Sequence, residues 1–281
     1  MHRFAILLSL AVFILIIAGG LVTSTGSGLS VPDWPLSYGQ IFPPMIGGIR
    51  FEHTHRVIAG FVGILTLIFM IALLRFEKRC WVKNLGIIAF LAVAAQAVLG
   101  GLTVIYLLPI AVSVTHACLA QSFFSLVMAI TLFTSREWVN AVKARSANSR
   151  SVQRLSLVVA IFSFCQLLTG AIVRHTHGHG IAFHLIFAFL VLLHILLVSL
   201  KIMREDISRQ KLSSHTFLLG ALALAQISLG LGAYIVKYLR ASSEMPTVGA
   251  VLLSTAHQSL GALILAGSVL LVLRAHRLLT S

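Results

Sequence analysis

Eight uncharged apolar runs set the terms on which this chain can fold. They occupy residues 4–22, 57–74, 85–108, 110–133, 155–173, 181–200, 217–236 and 248–273. A helix needs about 20 apolar residues to cross the hydrocarbon of a bilayer, and each run has about that length. A chain of 281 residues that is 58% hydrophobic and only 10% charged carries too little charge for a soluble domain. The sequence therefore predicts an all-α integral membrane protein with eight transmembrane helices. The first run begins near Met1, as a secretory signal would. It is longer than a typical signal core and seven more spans follow, so it is read as a helix.

The formal net charge of +14 would suit a nucleic-acid partner if the cations were clustered on a folded surface. They lie instead in short loops between apolar runs, where Lys and Arg decide topology, so no nucleic acid is expected. One set of alternate segments holds Arg3, then Arg75, Lys78, Arg79 and Lys83. It continues with Arg136, Lys143, Arg145, Arg150 and Arg154, then Lys201, Arg204, Arg209 and Lys211, and ends with Arg274 and Arg277. The opposite set holds only Arg50, Arg56, Arg174, Lys237 and Arg240. This bias of 16 to 5 among the 21 basic residues predicts a multi-pass protein of the cell membrane with both termini in the cytoplasm. Cys80, Cys118 and Cys165 are scattered, which predicts neither a disulfide nor a CxxC redox site.

The first outer loop, about 26–53, is the longest. It carries Val31-Pro32-Asp33-Trp34-Pro35-Leu36-Ser37-Tyr38-Gly39 and Phe42-Pro43-Pro44, with prolines and glycines for turns and aromatic residues suited to the membrane interface. A lid over the helices and an ordinary connector fit this composition equally.

The two halves of the chain resemble each other. Gly20-Leu21-Val22 closes the first run much as Gly170-Ala171-Ile172-Val173 closes the fifth, and Gln96-Ala97-Val98-Leu99-Gly100 in the third matches Gln226-Ile227-Ser228-Leu229-Gly230 in the seventh. Gln96 and Gln226 are 130 residues apart, and His55 and His184 are 129 apart. His116 and His257 are 141 apart, the difference falling in a longer third outer loop of the second half, around 241–249. Near-constant offsets are what duplication leaves. They predict two pseudo-symmetric four-helix bundles, 1–140 and 151–281.

His55, His116, His184 and His257 all fall in the outer part of even-numbered runs, two in each half. Imidazoles facing each other across a four-helix bundle suit the axial positions of a haem iron. Small residues that could admit a flat macrocycle stand nearby: Gly19, Gly20, Gly60, Gly63, Gly100 and Gly101, then Gly170, Gly230, Gly232 and Gly261. A zinc or copper site is less well matched, since no cysteine or second carboxylate accompanies the pairs. His175, His177 and His179 alternate in a short outer loop and read as a solvated polar segment, with metal binding or contact to haem propionates as the other readings. His2, His215 and His276 read as solvated, and His194 and Cys118 as packing residues.

Glu52 breaks the symmetry. It lies one turn before His55, whereas the matching position before His184 is Ile181. A carboxylate beside hydrocarbon is costly and marks a functional site, although an ion pair with Arg56 at i, i+4 is the simpler reading. A reaction site in the first half and an electron-transfer site in the second would follow.

These residues carry a family resemblance that runs the length of the chain. Glu52-His53-Thr54-His55-Arg56, Gly-Gly-Leu-Val-Thr at 19–23, Gly28-Leu29-Ser30-Val31-Pro32-Asp33-Trp34-Pro35 and the histidine-bearing even runs resemble haem A synthase. The resemblance implies oxidation of a ring methyl of haem O to a formyl group, making haem A for terminal oxidases. It implies His55, His116 and Arg56 around the substrate haem O, and His184 and His257 as ligands of a haem b cofactor. Glu52 would be the catalytic carboxylate, stabilising positive charge beside the methyl or orienting water. Arg56, Arg174, Lys237 and Arg240 are candidates to pair with propionates. The partners implied are haem O, membrane lipids, haem O synthase and a terminal oxidase, with a homo-oligomer left open. Some members carry a cysteine pair in the first outer loop, which is missing here. The competing functions are a di-haem membrane cytochrome b that transfers electrons without modifying haem, and a haem or ion transporter.

The charge bias gives a direct test of topology. Reporter fusions at Ser146 and Ser281 should report the cytoplasm and one near Ser37 the outside. The opposite pattern would reverse the assignment.

Overall fold

A computed structural model describes residues 1–239 and 246–280; Arg240, segment 241–245 of the third outer loop and Ser281 lie outside the described residues. The chain runs through α1 (His2–Ser24), α2 (Ile49–Phe76), α3 (Cys80–Ile105) and α4 (Ile110–Phe133). A short α5 (Arg136–Val139) and the strand β1 (Ala144–Arg145) lead to the second half. There follow α6 (Ser149–His175), α7 (Ile181–Met203) and α8 (Asp206–Tyr234), the last passing into a π-helical turn (Ile235–Leu239). Next come α9 (Val248–Leu278) and β2 (Leu279–Thr280). Eight of these helices are long and apolar enough to cross a membrane, and the protein is an all-α integral membrane protein.

The helices outrun the apolar runs. α2 begins at Ile49, so Glu52, His53, His55 and Arg56 sit in its first two turns rather than in the loop before it. α8 begins at Asp206, eleven residues before its apolar run. A helix continues into the polar interface wherever its sequence has no breaker, so hydropathy marks the span and not the helix ends.

Each half closes its own circuit of neighbours. α1 packs on α2, α2 on α3, α3 on α4 and α4 back on α1; α6, α7, α8 and α9 repeat the pattern. The halves meet through α1, α4, α6 and α9. The buried core concentrates at the end that carries both termini. Ala5, Leu8, Val12, Phe69, Leu73, Val82 and Phe124 belong to one cluster, and Val152, Ile195, Ile202, Leu212 and Leu271 to the other. In α6, α7 and α8 no residue on the histidine side of Ser163, Val191 and Ala223 is fully buried. Hydroxyls inside the helices are satisfied locally: Ser9, Thr66, Ser156 and Ser268 each donate to the carbonyl four residues back.

The terminus-bearing end is fastened by charge. Glu77, at the end of α2, accepts two hydrogen bonds from Arg79 and two from the backbone N–H groups of Lys78 and Arg79. Arg79 also donates to the Phe133 carbonyl, an otherwise open acceptor at the end of α4. Its guanidinium lies 5.5 Å from the Trp81 ring, which meets Phe133 edge-on, and Phe133 meets Trp138 in the same way. Arg277 of α9 reaches over Trp138 and donates to its carbonyl. β1 and β2 pair in parallel, Ala144 with Leu279 and Arg145 with Thr280. Glu205 takes the hydroxyl of Ser146 and the N–H of Ala147, and these bonds hold its carboxyl below the ordinary value.

The Arg79 hydrogen bonds hold the Glu77 carboxyl down to about 2 from an ordinary 4.5. A depressed carboxyl stabilises the fold above its unfolded value and loses that contribution as the pH falls toward the folded one. The melting temperature of Glu77→Gln in detergent should lie below wild type at pH 7, and the gap should close between about pH 4.5 and 2. A gap that does not change with pH would remove the charge from the explanation.

Candidate functional site

Four histidines lie against four glycines. A Cβ added to Gly19 of α1 would stand 3.0 Å from His55 Cε1 of α2, and one on Gly100 of α3 would stand 3.4 Å from His116 Cε1 of α4. In the second half the distance is 2.8 Å both from Gly170 of α6 to His184 of α7 and from Gly230 of α8 to His257 of α9. Only glycine lets an imidazole approach a neighbouring helix this closely. Other expected small residues serve differently. Gly101 receives the Trp34 ring, Gly20 faces Thr255 and Gln258, Gly261 faces Gln226 and Gly232 faces Leu253. A Cβ added to Gly60 or Gly63 would meet nothing within 4 Å, so both border open space rather than a neighbouring side chain.

His184 and His257 face each other with ring centroids 6.2 Å apart and planes at 76°. His184 Nδ1 bonds the Gln166 carbonyl at 3.2 Å, and His257 Nδ1 bonds the Gln226 carbonyl at 3.1 Å. A carbonyl only accepts, so Nδ1 carries the proton and Nε2 keeps its lone pair for a metal. Two metal–imidazole bonds of about 2.0 Å each need a spacing of roughly this size, so His184 and His257 are the residues that would hold a haem iron here. His55 and His116 lie within electrostatic reach of each other, and each has a buried Nδ1 without a hydrogen-bond partner.

Glu52 is 3% exposed and fully engaged. One oxygen accepts the N–H of Val31 at 2.9 Å, and the other pairs with Arg56 at 2.6 Å. Arg56 also donates to the carbonyls of Asp33 at 2.6 Å, Leu36 at 2.7 Å and Val31 at 3.4 Å. The first loop is therefore fastened to the helix turn that precedes His55. Asp33 holds the N–H groups of Tyr38 and Gly39, and the Gly39 bond leads in keeping its carboxyl below the ordinary value. Tyr38 donates to the Ser30 carbonyl, and Ser37 meets His53 Nδ1 at 2.9 Å. Trp34 lies on Gly101, next to the glycine that receives His116.

The remaining expected residues divide. Arg56 is spent on the loop rather than aimed at the histidines. Arg174, at the end of α6, crosses to the other half, donating to Gln258, the Gly20 carbonyl and Ser24. Arg240 lies outside the described residues. Among the described residues no three His, Cys, Asp or Glu side chains converge as a metal cluster, and His175, His177 and His179 form none. His194 bonds the Leu190 carbonyl and packs edge-on against Phe162. Cys118 is buried. His2 and His215 are corrected from solvated to half-buried: His2 bonds the Thr131 carbonyl, and His215 bridges the Gly267 carbonyl and Arg274. The sequence reading missed the Trp34–Gly101 contact and the part of Gln166. Gln96 and Gln226 stood out as repeat markers, and that spacing was the signal: each lies four residues before a glycine that receives a histidine.

The model of a family described as cytochrome oxidase assembly protein (COX15-CtaA) matches residues 2–47 and 49–183. The chain belongs to this family. COX15-CtaA relatives similar to it include three proteins named "Heme A synthase". The protein of Shouchella clausii is 29% identical over 183 residues, 63% of this chain and 60% of its own length. That of Geobacillus kaustophilus is 32% identical over 179 residues, 62% and 56%, and that of Bacillus cereus 31% over 183 residues, 62% and 58%. The matched stretch thus spans less than two thirds of these relatives.

The Arg56 fork makes the loop testable without any ligand. Arg56→Lys keeps the charge but cannot reach three carbonyls and Glu52 at once. Limited proteolysis within residues 33–46 should speed up several-fold, with the melting temperature nearly unchanged. Unaltered cleavage would show that the loop is held elsewhere.

Proposed function

We propose that this chain is a haem A synthase, a membrane oxidoreductase that converts haem O to haem A by oxidising a ring methyl to a formyl group. Family membership and the name shared by the matching relatives support a role in haem A biosynthesis. The observation that carries the finer reading is the inequality of the two halves. Both present a histidine pair seated on glycines, but among the described residues only the first sets a buried carboxylate, Glu52, one turn from a histidine. A di-haem electron carrier gives no reason for that inequality.

In this reading each half is a four-helix bundle with one haem site. His184 and His257 hold haem b, which when bound supplies one-electron transfer. His55 and His116 bracket haem O, written as substrate. The first loop, drawn down by Glu52 and Arg56 with Trp34 on Gly101, covers the substrate site and shields it from bulk solvent. Arg56 keeps Glu52 ion-paired, so a negative charge is fixed one turn from His55 before substrate arrives. That charge opposes the positive charge that develops as a ring methyl is oxidised, and it can orient water toward that carbon. The sites lie toward the outer face of the cell membrane, with both termini cytoplasmic. Haem O synthase as supplier and a terminal oxidase as recipient fit the substrate and product.

Glu52→Gln separates the synthase from a carrier. The amide keeps the shape and still accepts from Val31, but it carries no charge. The variant should fold, retain haem b and accumulate haem O or a partly oxidised product. Haem A, measured by mass spectrometry of extracted pigments, should fall about a hundredfold or more. Haem A at the wild-type rate would reduce Glu52 to an anchor for the loop. His184→Ala or His257→Ala should remove the haem b spectrum, which His55→Ala or His116→Ala should largely spare.

A further inference from the structure

We propose that hydrogen bonding at Nδ1 sorts the two histidine pairs into a tightly held haem site, at His184 and His257, and an exchanging one, at His55 and His116. The inference rests on reading both pairs as haem ligands. It adds what makes one haem a resident and the other a passenger.

The second pair is fixed from behind. The Gln166 and Gln226 carbonyls take the Nδ1 protons of His184 and His257. The side-chain amides of the same two glutamines approach the opposite nitrogens, Gln166 Nε2 at 3.2 Å from His184 Nε2 and Gln226 Nε2 at 3.4 Å from His257 Nε2. An amide N–H points at a lone pair, so both contacts agree with a proton on Nδ1 and an unprotonated Nε2 that accepts from the amide. Thr169 Oγ1 lies 3.4 Å from His184 Nδ1, while its own proton goes to the Cys165 or Gln166 carbonyl. A backbone acceptor behind a ligating imidazole fixes tautomer and ring orientation and makes the ligand nitrogen more basic.

The first pair is held less firmly. Nδ1 of His55 and of His116 is buried without a partner. The Gln96 carbonyl comes near the His116 ring but misses hydrogen-bond geometry, and the Gln96 amide donates instead to the His116 backbone carbonyl at 2.9 Å. Beside His55 even the glutamine is missing: Leu15 stands four residues before Gly19, where Gln96, Gln166 and Gln226 precede the other three glycines. Packing on Gly19 therefore positions the His55 ring, and no hydrogen bond selects its tautomer. A substrate must enter and its product must leave, so weaker ligation suits this pair.

Removal of outer-shell partners of this kind costs about 10–100-fold in metal affinity. The test is haem transfer to excess apomyoglobin from purified protein in detergent. His184→Ala with His257→Ala leaves only the first pair; His55→Ala with His116→Ala leaves only the second. Each is loaded with haem b as the common probe. Haem should leave the first pair about 10–100-fold faster than the second. Equal rates would overturn the proposal.

The cause is tested on the second pair. A Cβ on Gly170 or Gly230 lies 3.2 Å from the Nδ1 atom that makes the bond. Gly170→Ala and Gly230→Ala should each speed haem loss about tenfold or more while the low-spin spectrum persists. No acceleration by either variant counts against the mechanism. The comparison of the two pairs stands without any glycine variant. Equal rates in a protein that makes haem A would sink the sorting and spare the function. Unequal rates in a protein that makes none would do the reverse.

Discussion

The close approach of an imidazole to a glycine backbone, made four times between neighbouring helices, is the contact on which the histidine end of the protein depends. An imidazole is too polar to be left in hydrocarbon and too wide to fit between two ordinary helices. Glycine removes the width, and the carbonyls thus exposed can supply a hydrogen-bond partner. The second half uses both benefits, at Gly170 with Gln166 and at Gly230 with Gln226. The first half uses only the close approach. The apolar core, gathered at the other end, keeps the helix pairs in register while this end is built from small residues.

Glu52 has two masters. Its carboxylate holds the loop through Val31 and, by way of Arg56, through three more carbonyls. The simpler reading of the sequence, an i, i+4 ion pair with Arg56, is present in the structure at 2.6 Å. It does not displace the chemical one, because the same pair keeps a negative charge buried beside His55. Loop closure and charge placement are thereby one event: a chain that lost the pair would lose both.

The spans were legible because hydrocarbon tolerates so few arrangements of backbone and charge. Eight apolar runs had to be eight helices, and their number and order agree with the structure. The histidine depths followed from the same periodicity. The helix ends did not, since α2 and α8 extend into polar sequence that hydropathy cannot distinguish from loop. Arg56 was read as a propionate partner because a cation near histidines suggests an anion. In the structure its acceptors are Glu52 and three carbonyls of a loop whose path the sequence does not reveal. Gln166 lay inside a repeat already noticed, yet the pairing of its carbonyl with His184 requires the tertiary contact of α6 with α7.

Arg174 binds the two halves across the bundle, reaching from α6 to the Gly20 carbonyl and Ser24 of α1, while Thr255 of α9 donates to the same serine. This carries a consequence for how the chain is made. α1 enters the membrane before the helices that follow it, and its acceptors at Gly20 and Ser24 wait for partners synthesised about 150 and 231 residues later. α2 and α4 can close on α1 at once, with α3 between them, but its remaining face stays open to lipid until α6 and α9 arrive. Biogenesis is thus ordered in time: one half inserts and waits, and the seam between the halves is the last part of the molecule to set.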